Sequence, residues 1–446
     1  MKLLKAILIR AYLNYLKIAA KIQIAKFKPI IVGIGGASGK TSTASLLYLI
    51  LSEKFPVLTT SGKNSETGIP LSILGLEVKN YSYFEWIKIL ILAFFKILFS
   101  WKKYKVFIAE MGIDSPNYPK NMSYLLSIVQ PKIGFITNIA PEHSVYFESL
   151  IRDVSDQGRF EKILDLIGEE ELMLLKSIKK DGFSIINIDD KRIKNISERI
   201  QSVAITVSKL DPTADYYIES RKTSLSQTVI KFIFKNKEYV LKLKRPLPTH
   251  YDYSLVFSII ISHILGIPVD EAIRILERKF NLPAGRVSIF KGIKNSVIID
   301  SSYNSSIETV SDLLELLSEV AGNRRRIAII GDMREQGLFS KTQHEELAKR
   351  LVLNADVAIL IGPMLDDFAV PILSNEQFNY YSFPNFSKAR ARIRSLVKNR
   401  DIILVKGSQN TLFLERAVEM LLTDPEDQKF LPRRGKFWDK MRTKTL

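Results

Sequence analysis

Short apolar runs alternate along the chain with segments whose apolar residues recur every three or four positions. That rhythm predicts strands alternating with helices around a parallel α/β sheet. Pro29 to Gly33, carrying Ile30, Ile31 and Val32, reads as a buried strand, and Thr41 to Leu51 as a helix. Val106 to Ala109 and Ile133 to Ile136 read as further strands. A glycine-rich turn follows the first strand, Glu110 follows the second, and Thr137 and Asn138 follow the third. Open α/β sheets bind ligands at that edge. Later the period changes. Ile230, Phe232 and Phe234, then Tyr239, Leu241 and Leu243, recur at every second position, which predicts antiparallel strands, with Tyr216 and Ile218 in an earlier one. A helix is expected from Leu255 to Leu265. A boundary is expected at Leu282-Pro283-Ala284-Gly285, after which the α/β rhythm restarts: strands at Ser296–Ile299, Arg326–Ile330, Val357–Ile361 and Ile402–Val405, and a helix at Ile307–Val320. The expected architecture is α/β. A central domain with a mostly parallel sheet spans 29–284, and a C-terminal Rossmann-like domain spans 285–424. A basic amphipathic helix (1–28) and a basic tail (425–446) flank them.

A chain of 446 residues has room for two or three domains with full cores. Its 46% hydrophobic and 25% charged residues are ordinary for a soluble protein. The absence of cysteine excludes a disulfide scaffold, a thiolate metal site and a cysteine nucleophile. It fits a reducing, cytoplasmic setting. The net charge of +18 is concentrated at the ends: residues 1–28 hold seven basic and no acidic residues, and residues 428–446 hold seven basic residues against Asp439 alone. This argues against a nucleic-acid-binding body. It points to ends that meet an anionic surface such as the inner membrane face, or to solvated, partly disordered ends. Arg10, Lys17 and Lys21 interrupt the N-terminal apolar segment, so no secretory signal is expected. The most hydrophobic stretch, Phe84 to Trp101, contains Glu85, Lys88 and Lys96, and its unbroken apolar run is only Ile89 to Phe95. A spanning helix needs about 20 apolar residues. The stretch reads as a buried core helix or as one lying in a membrane interface, and Trp86, Trp101, Lys102 and Lys103 favour the interface.

The sharpest chemical signal is Gly36-Ala37-Ser38-Gly39-Lys40-Thr41, between a strand and a helix. Glycines allow a tight P-loop turn whose amides point at phosphate oxygens, and the helix adds its positive end. Lys40 would neutralise the β- and γ-phosphates of ATP, and the Thr41 hydroxyl would hold Mg²⁺. A standard Walker loop has glycine where this chain has Ile34.

The shorter Gly-x-x-Gly-Lys-Thr form begins a resemblance to the Mur ligase family. Other segments match that family in order over about residues 30 to 422. They are Gly62-Lys63-Asn64-Ser65-Glu66-Thr67-Gly68-Ile69-Pro70-Leu71, Glu110-Met111-Gly112, and Ile136-Thr137-Asn138-Ile139-Ala140-Pro141-Glu142-His143. Beyond the boundary come Gly285-Arg286, Asp300-Ser301-Ser302-Tyr303-Asn304, Gly331-Asp332-Met333-Arg334-Glu335-Gln336-Gly337 and Lys406-Gly407-Ser408. The resemblance implies an ATP-dependent, ADP-forming ligase of peptidoglycan synthesis and cell-wall biogenesis. It would phosphorylate the carboxylate of a muramoyl peptide and then join an amino acid or dipeptide, such as D-alanyl-D-alanine, to the acyl phosphate. It implies that Glu110, Thr41 and His143 hold Mg²⁺, that Asn138 contacts adenine, and that Arg286 reaches the γ-phosphate as the C-terminal domain closes. Asp300, Tyr303 and Asn304 would touch the nucleotide, and Asp332 with Lys406-Gly407-Ser408 would shape the pocket for the amine. His250, His263 and His344 are expected to be structural. The expected protein is a monomer.

Three departures stand out. The family's carbamylated lysine, about 14 residues beyond the metal histidine, falls on Gln157, with Lys162 as the nearby candidate. Ser301 replaces a second aspartate of the Asp300 motif, and Ser306 and Ile307 replace an Asn-Pro pair. Only about 28 residues precede the first strand, too few for the family's UDP-binding N-terminal domain. A glutamate-adding ligase of the same superfamily and a catalytically impaired nucleotide-binding partner protein are the alternatives.

Overall fold

The computed structural model describes residues 2–443 except 61, 79–81, 100–102, 142–143, 149, 152–155, 335–338 and 408–411. The chain divides into two compact units. The first is residues 1–220, 230–241 and 252–280; the second is residues 221–229, 242–251 and 281–446.

The long sheet contains β1 (Ile30–Gly35), β2 (Val57–Thr59), β3 (Val106–Glu110), β4 (Ile133–Ile136), β5 (Phe183–Asn187), β6 (Val203–Ser208), β7 (Tyr216–Thr223), β8 (Thr228–Phe234) and β9 (Lys237–Leu243). Their spatial order is β2-β3-β1-β4-β5-β6-β7-β8-β9. The first seven are joined by parallel ladders. β8 and β9 are linked by Lys235 and Asn236, both at positive φ (49° and 59°), the two-residue turn that suits an antiparallel hairpin. Buried residues of β1, β3 and β4 (Ile34, Phe107, Phe135) and of the Lys40–Leu51 and Tyr251–Ile264 helices (Leu47, Ile50, Phe257) form the first unit's core.

The short sheet contains β10 (Ser288–Gly292), β11 (Ser296–Ser301), β12 (Arg326–Gly331), β13 (Val357–Ile361), β14 (Tyr380–Phe383) and β15 (Ile402–Lys406), in the order β10-β11-β15-β12-β13-β14. Only β10 runs antiparallel. Alternation sorts its residues between two cores. Ala328, Ile330, Ala358 and Leu360 meet the helices Ile307–Ala321 and Ser340–Asn354. Ile327, Ile329, Val357 and Ile359 meet Phe386–Leu396 and Glu415–Leu421.

Neither end is a free solvated segment over its described residues. The Lys2–Phe27 helix buries Leu13, Leu16, Ala19 and Ala20, yet leaves Ile7, Leu8, Ile9, Ile18 and Ile22 exposed. Its exposed side mixes these apolar residues with Arg10, Asn14, Lys21 and Lys26. The stretch around Phe84 is a helix, Tyr83–Phe99, that buries only Ile89 and Ala93, so it is not a core helix. No helix among the described residues is long and apolar enough to cross a membrane. Near the C-terminus, Arg433 enters the second unit and pairs with Glu415 at 3.0 Å, both side chains almost completely buried. Its guanidinium also donates to the backbone carbonyls of Ser302 and Tyr303.

Breaking a buried pair by removing one partner leaves a charge without compensation and costs about 3–5 kcal/mol. Arg433→Met should therefore lower the urea midpoint of the second unit, read from Trp438, which packs on Phe413 beside Arg433. Adding Glu415→Leu should recover part of the loss.

Candidate functional site

Three neighbouring strands, β3, β1 and β4, present their C-terminal ends side by side. The chain leaves β1 for one side of the sheet and later returns to the other, so this is the sheet's switch point, where a crevice opens. The glycine turn, Glu110 and Thr137-Asn138 all sit here, as the strand endings led us to expect.

Gly36 and Gly39 have φ of 101° and 85°, values that glycine tolerates and other residues resist. A Cβ on Gly36 would lie 2.3 Å from Thr137 Oγ1. Three amides fix the turn. Gly36 N donates to Glu171 Oε2 at 2.8 Å, Ala37 N to the Asn138 carbonyl at 3.1 Å, and Ser38 N to Asn138 Oδ1 at 3.0 Å. Gly39 then begins the Lys40–Leu51 helix, whose first-turn amides have no partner within the helix. Lys40 Nζ folds onto the carbonyls of Gly36 and Ala37, the latter at 2.5 Å. Behind the turn, Thr43 Oγ1 donates to the Gly39 carbonyl and contacts Ser254 Oγ, both at 2.9 Å. The side-chain oxygen of Asn138 thus helps to hold the loop.

Glu110 closes β3 with its side chain fully buried. Its carboxylate accepts from Thr41 Oγ1 at 2.6 Å and from Gly62 N at 2.8 Å, and Thr60 Oγ1 receives its backbone N–H at 3.1 Å. Among the described residues, no ammonium or guanidinium comes within ion-pair distance of Glu110. A buried carboxylate with only neutral donors, touching a hydroxyl, fits a hard divalent cation such as Mg²⁺. His143 lies outside the described residues, which contain no cluster of three or more His, Asp or Glu able to hold a metal. Lys162 is exposed on the Asp156–Lys176 helix, and neighbouring Glu161 pairs with Arg192.

Glu171 was not singled out from sequence, although a signal existed. It falls on the buried stripe of its helix with Leu164, Ile167, Leu174 and Leu175. A Cβ at residue 35 would meet its Oε2 at 2.7 Å, so glycine there makes room for the carboxylate.

In the second unit, Asp300, Ser301 and Lys406 end adjacent parallel strands. Asp300 is fully buried at the end of β11. Its Oδ1 accepts from Ser302 N at 3.0 Å, and its Oδ2 has no partner. Burial pushes its carboxyl up to about 6. Lys406 donates to the Asn304 carbonyl, and burial, aided by the Arg286 charge, brings its ammonium down to about 7. Tyr303 and Asn304 are exposed, and the Arg286 guanidinium lies 5.5 Å from the Tyr303 ring centre. Asp332 accepts from the amides of Leu365 (2.9 Å) and Met364 (3.3 Å), so it braces the turn after β13. His344 donates through Nδ1 to the Ser340 carbonyl and accepts from Met333 N, a structural arrangement. His250 pairs with Asp312 at 2.7 Å, and His263 is exposed rather than enclosed in its helix. Ser408 lies outside the described residues.

Two family models match the chain: the Mur ligase middle domain over residues 34–253, and the Mur ligase glutamate ligase domain over residues 285–409. The UDP-N-acetylmuramoyl-tripeptide–D-alanyl-D-alanine ligase of Rickettsia prowazekii is 24% identical over 413 residues, covering 91% of this chain and 81% of that protein. Among solved structures, the MurF ligase of Thermotoga maritima in complex with ADP aligns with a TM-score of 0.71 at 22% identity, over 93% of this chain and 84% of that one. A MurF structure from Acinetobacter baumannii aligns with a TM-score of 0.72 at 18% identity, over 91% and 79%.

The folded carboxyl of Asp300 titrates above its ordinary 3.8, so its contribution to stability is complete below that value and is lost as pH rises through about 6. Asp300→Asn removes this dependence. Relative to wild type, the variant should gain up to about 3 kcal/mol between pH 4 and 6. Urea titrations across that window check the sign.

Proposed function

Because this chain belongs to the Mur ligase family, we propose that it is an ADP-forming ligase that adds D-alanyl-D-alanine to the peptide of a muramoyl precursor. The relatives named for that reaction support the substrates, and the ADP complex of the Thermotoga protein supports ATP as the phosphoryl donor. The carrying observation is the buried Glu110 carboxylate facing the Thr41 hydroxyl behind the Lys40 loop.

In the reaction, a substrate carboxylate oxygen bonds to the γ-phosphorus of ATP as the bond to the bridging oxygen breaks and ADP leaves. The incoming amine then attacks the acyl carbon, phosphate departs, and the amine gives up a proton. The main obstacle is repulsion between anions, so positive groups must be placed beforehand. Amides at the start of the Lys40–Leu51 helix receive phosphate oxygens. Lys40 leaves the loop carbonyls for the phosphates and returns when they depart. Thr41 and Glu110 would hold Mg²⁺, which supplies charge neutralisation at the phosphates when bound. Glu171 and Asn138 keep the loop in shape. In the second unit, Arg286 serves phosphate charge, and Lys406, whose ammonium burial brings down to about 7, is suited to take the proton released by the amine.

With ATP, Mg²⁺, D-alanyl-D-alanine and UDP-muramoyl-tripeptide, purified protein should release phosphate. Lys40→Ala and Glu110→Gln should each lower that rate by about a hundredfold to a thousandfold without loss of fold. Release with glutamate but not with the dipeptide would move the assignment to a glutamate-adding ligase. No release with any amine and carboxylate would leave a nucleotide-binding protein.

A further inference from the structure

The Lys2–Phe27 and Tyr83–Phe99 helices lie side by side in the first unit and run the same way, since their contacts ascend together. Tyr12 meets Trp86 edge to face at 5.2 Å, the Tyr15 hydroxyl donates to the Leu90 carbonyl at 2.9 Å, and Lys26 Nζ reaches the Ile97 carbonyl at 3.5 Å. Their inner faces close a small core, in which Leu16, Ala19, Ile89 and Ala93 pack with Leu71 and Leu74.

The outer face is equally apolar. Phe84, Ile87, Ile91, Phe94, Phe95 and Leu98 recur at helical spacing along one side of Tyr83–Phe99, and all are exposed, Phe84 at 81%. On the partner helix Ile7, Ile18 and Ile22 are exposed as well. Exposed patches of this kind mark an interaction surface. The charge around the patch is mainly positive. Lys21, Lys88 and Lys96 are exposed on these helices, and Glu85 is their only acidic residue.

We propose that this two-helix face docks in the plane of an anionic lipid surface, with the aromatic and aliphatic ridge in the acyl boundary and the lysines among the headgroups. Over its described residues neither helix is long and apolar enough to cross a bilayer, and both lie along it instead. A second copy of the chain is a poorer occupant, because pairing the face with itself would set lysines against lysines with only Glu85 to match them. An anionic bilayer satisfies ridge and lysines together. The inference does not depend on the catalytic assignment.

Sedimentation of the full-length protein with vesicles tests it. Vesicles of equal parts phosphatidylglycerol and phosphatidylcholine should carry the protein down at low ionic strength. Pure phosphatidylcholine vesicles should carry markedly less, and added salt should weaken the anionic binding. The triple variant Phe84→Ser, Ile91→Ser, Phe95→Ser should partition about tenfold less or weaker still, with its melting temperature unchanged. Wild-type protein left in the supernatant with anionic vesicles would overturn the proposal. So would a triple variant that binds as wild type, or light scattering showing a wild-type dimer that the triple variant dissolves.

Discussion

A carboxylate removed from water is tolerated only where donors converge on it, and the ligand edge of the first unit is arranged around two such groups. Glu110 takes the Thr41 hydroxyl and the Gly62 amide, and Glu171 takes the Gly36 amide. Between them they fix both ends of the glycine turn and the start of the following helix. The sheet supplies the rest. Parallel pairing of β1 with β3 and β4 brings residues distant in sequence to one edge. Burial of the strands makes that edge rigid enough to hold amides in place before any ligand arrives.

Much of this arrangement was legible in the chain. Apolar runs ending in a glycine turn, an acid and a Thr-Asn pair placed three strand ends correctly, because buried parallel strands must be apolar and their ends are where polarity is allowed. The period-two pattern at Ile230, Phe232 and Phe234 marked β8 for the same reason. What escaped was mostly polarity in unexpected places. Glu171 sits among neighbouring acids, and only its position on an apolar stripe distinguishes it from Glu169 and Glu170. Arg433 sits in a basic segment that looked solvated, and nothing nearby in sequence announces Glu415 as its partner. Asp300 belonged to a recognisable motif, but whether its side chain faces a ligand or the interior is decided by how β11 packs. Local pattern does not record that.

The second unit keeps its charges differently. Its strand ends carry an acid and an amine that burial pushes toward neutrality, Asp300 upward and Lys406 downward. Burial likewise raises the Glu415 carboxyl, and the charge of its partner Arg433 opposes that rise.

The packing of Gly35 against Glu171 links two positions 136 residues apart. Any side chain at 35 would press on the carboxylate and on Ile136, whose Cδ1 would also lie 2.7 Å from the new Cβ, while a shorter residue at 171 would relieve only the first contact and would lose the bond to the Gly36 amide. The two sites therefore constrain each other's evolutionary drift. Substitutions that are harmful singly should become tolerable only as a coordinated exchange that finds the amide a new acceptor.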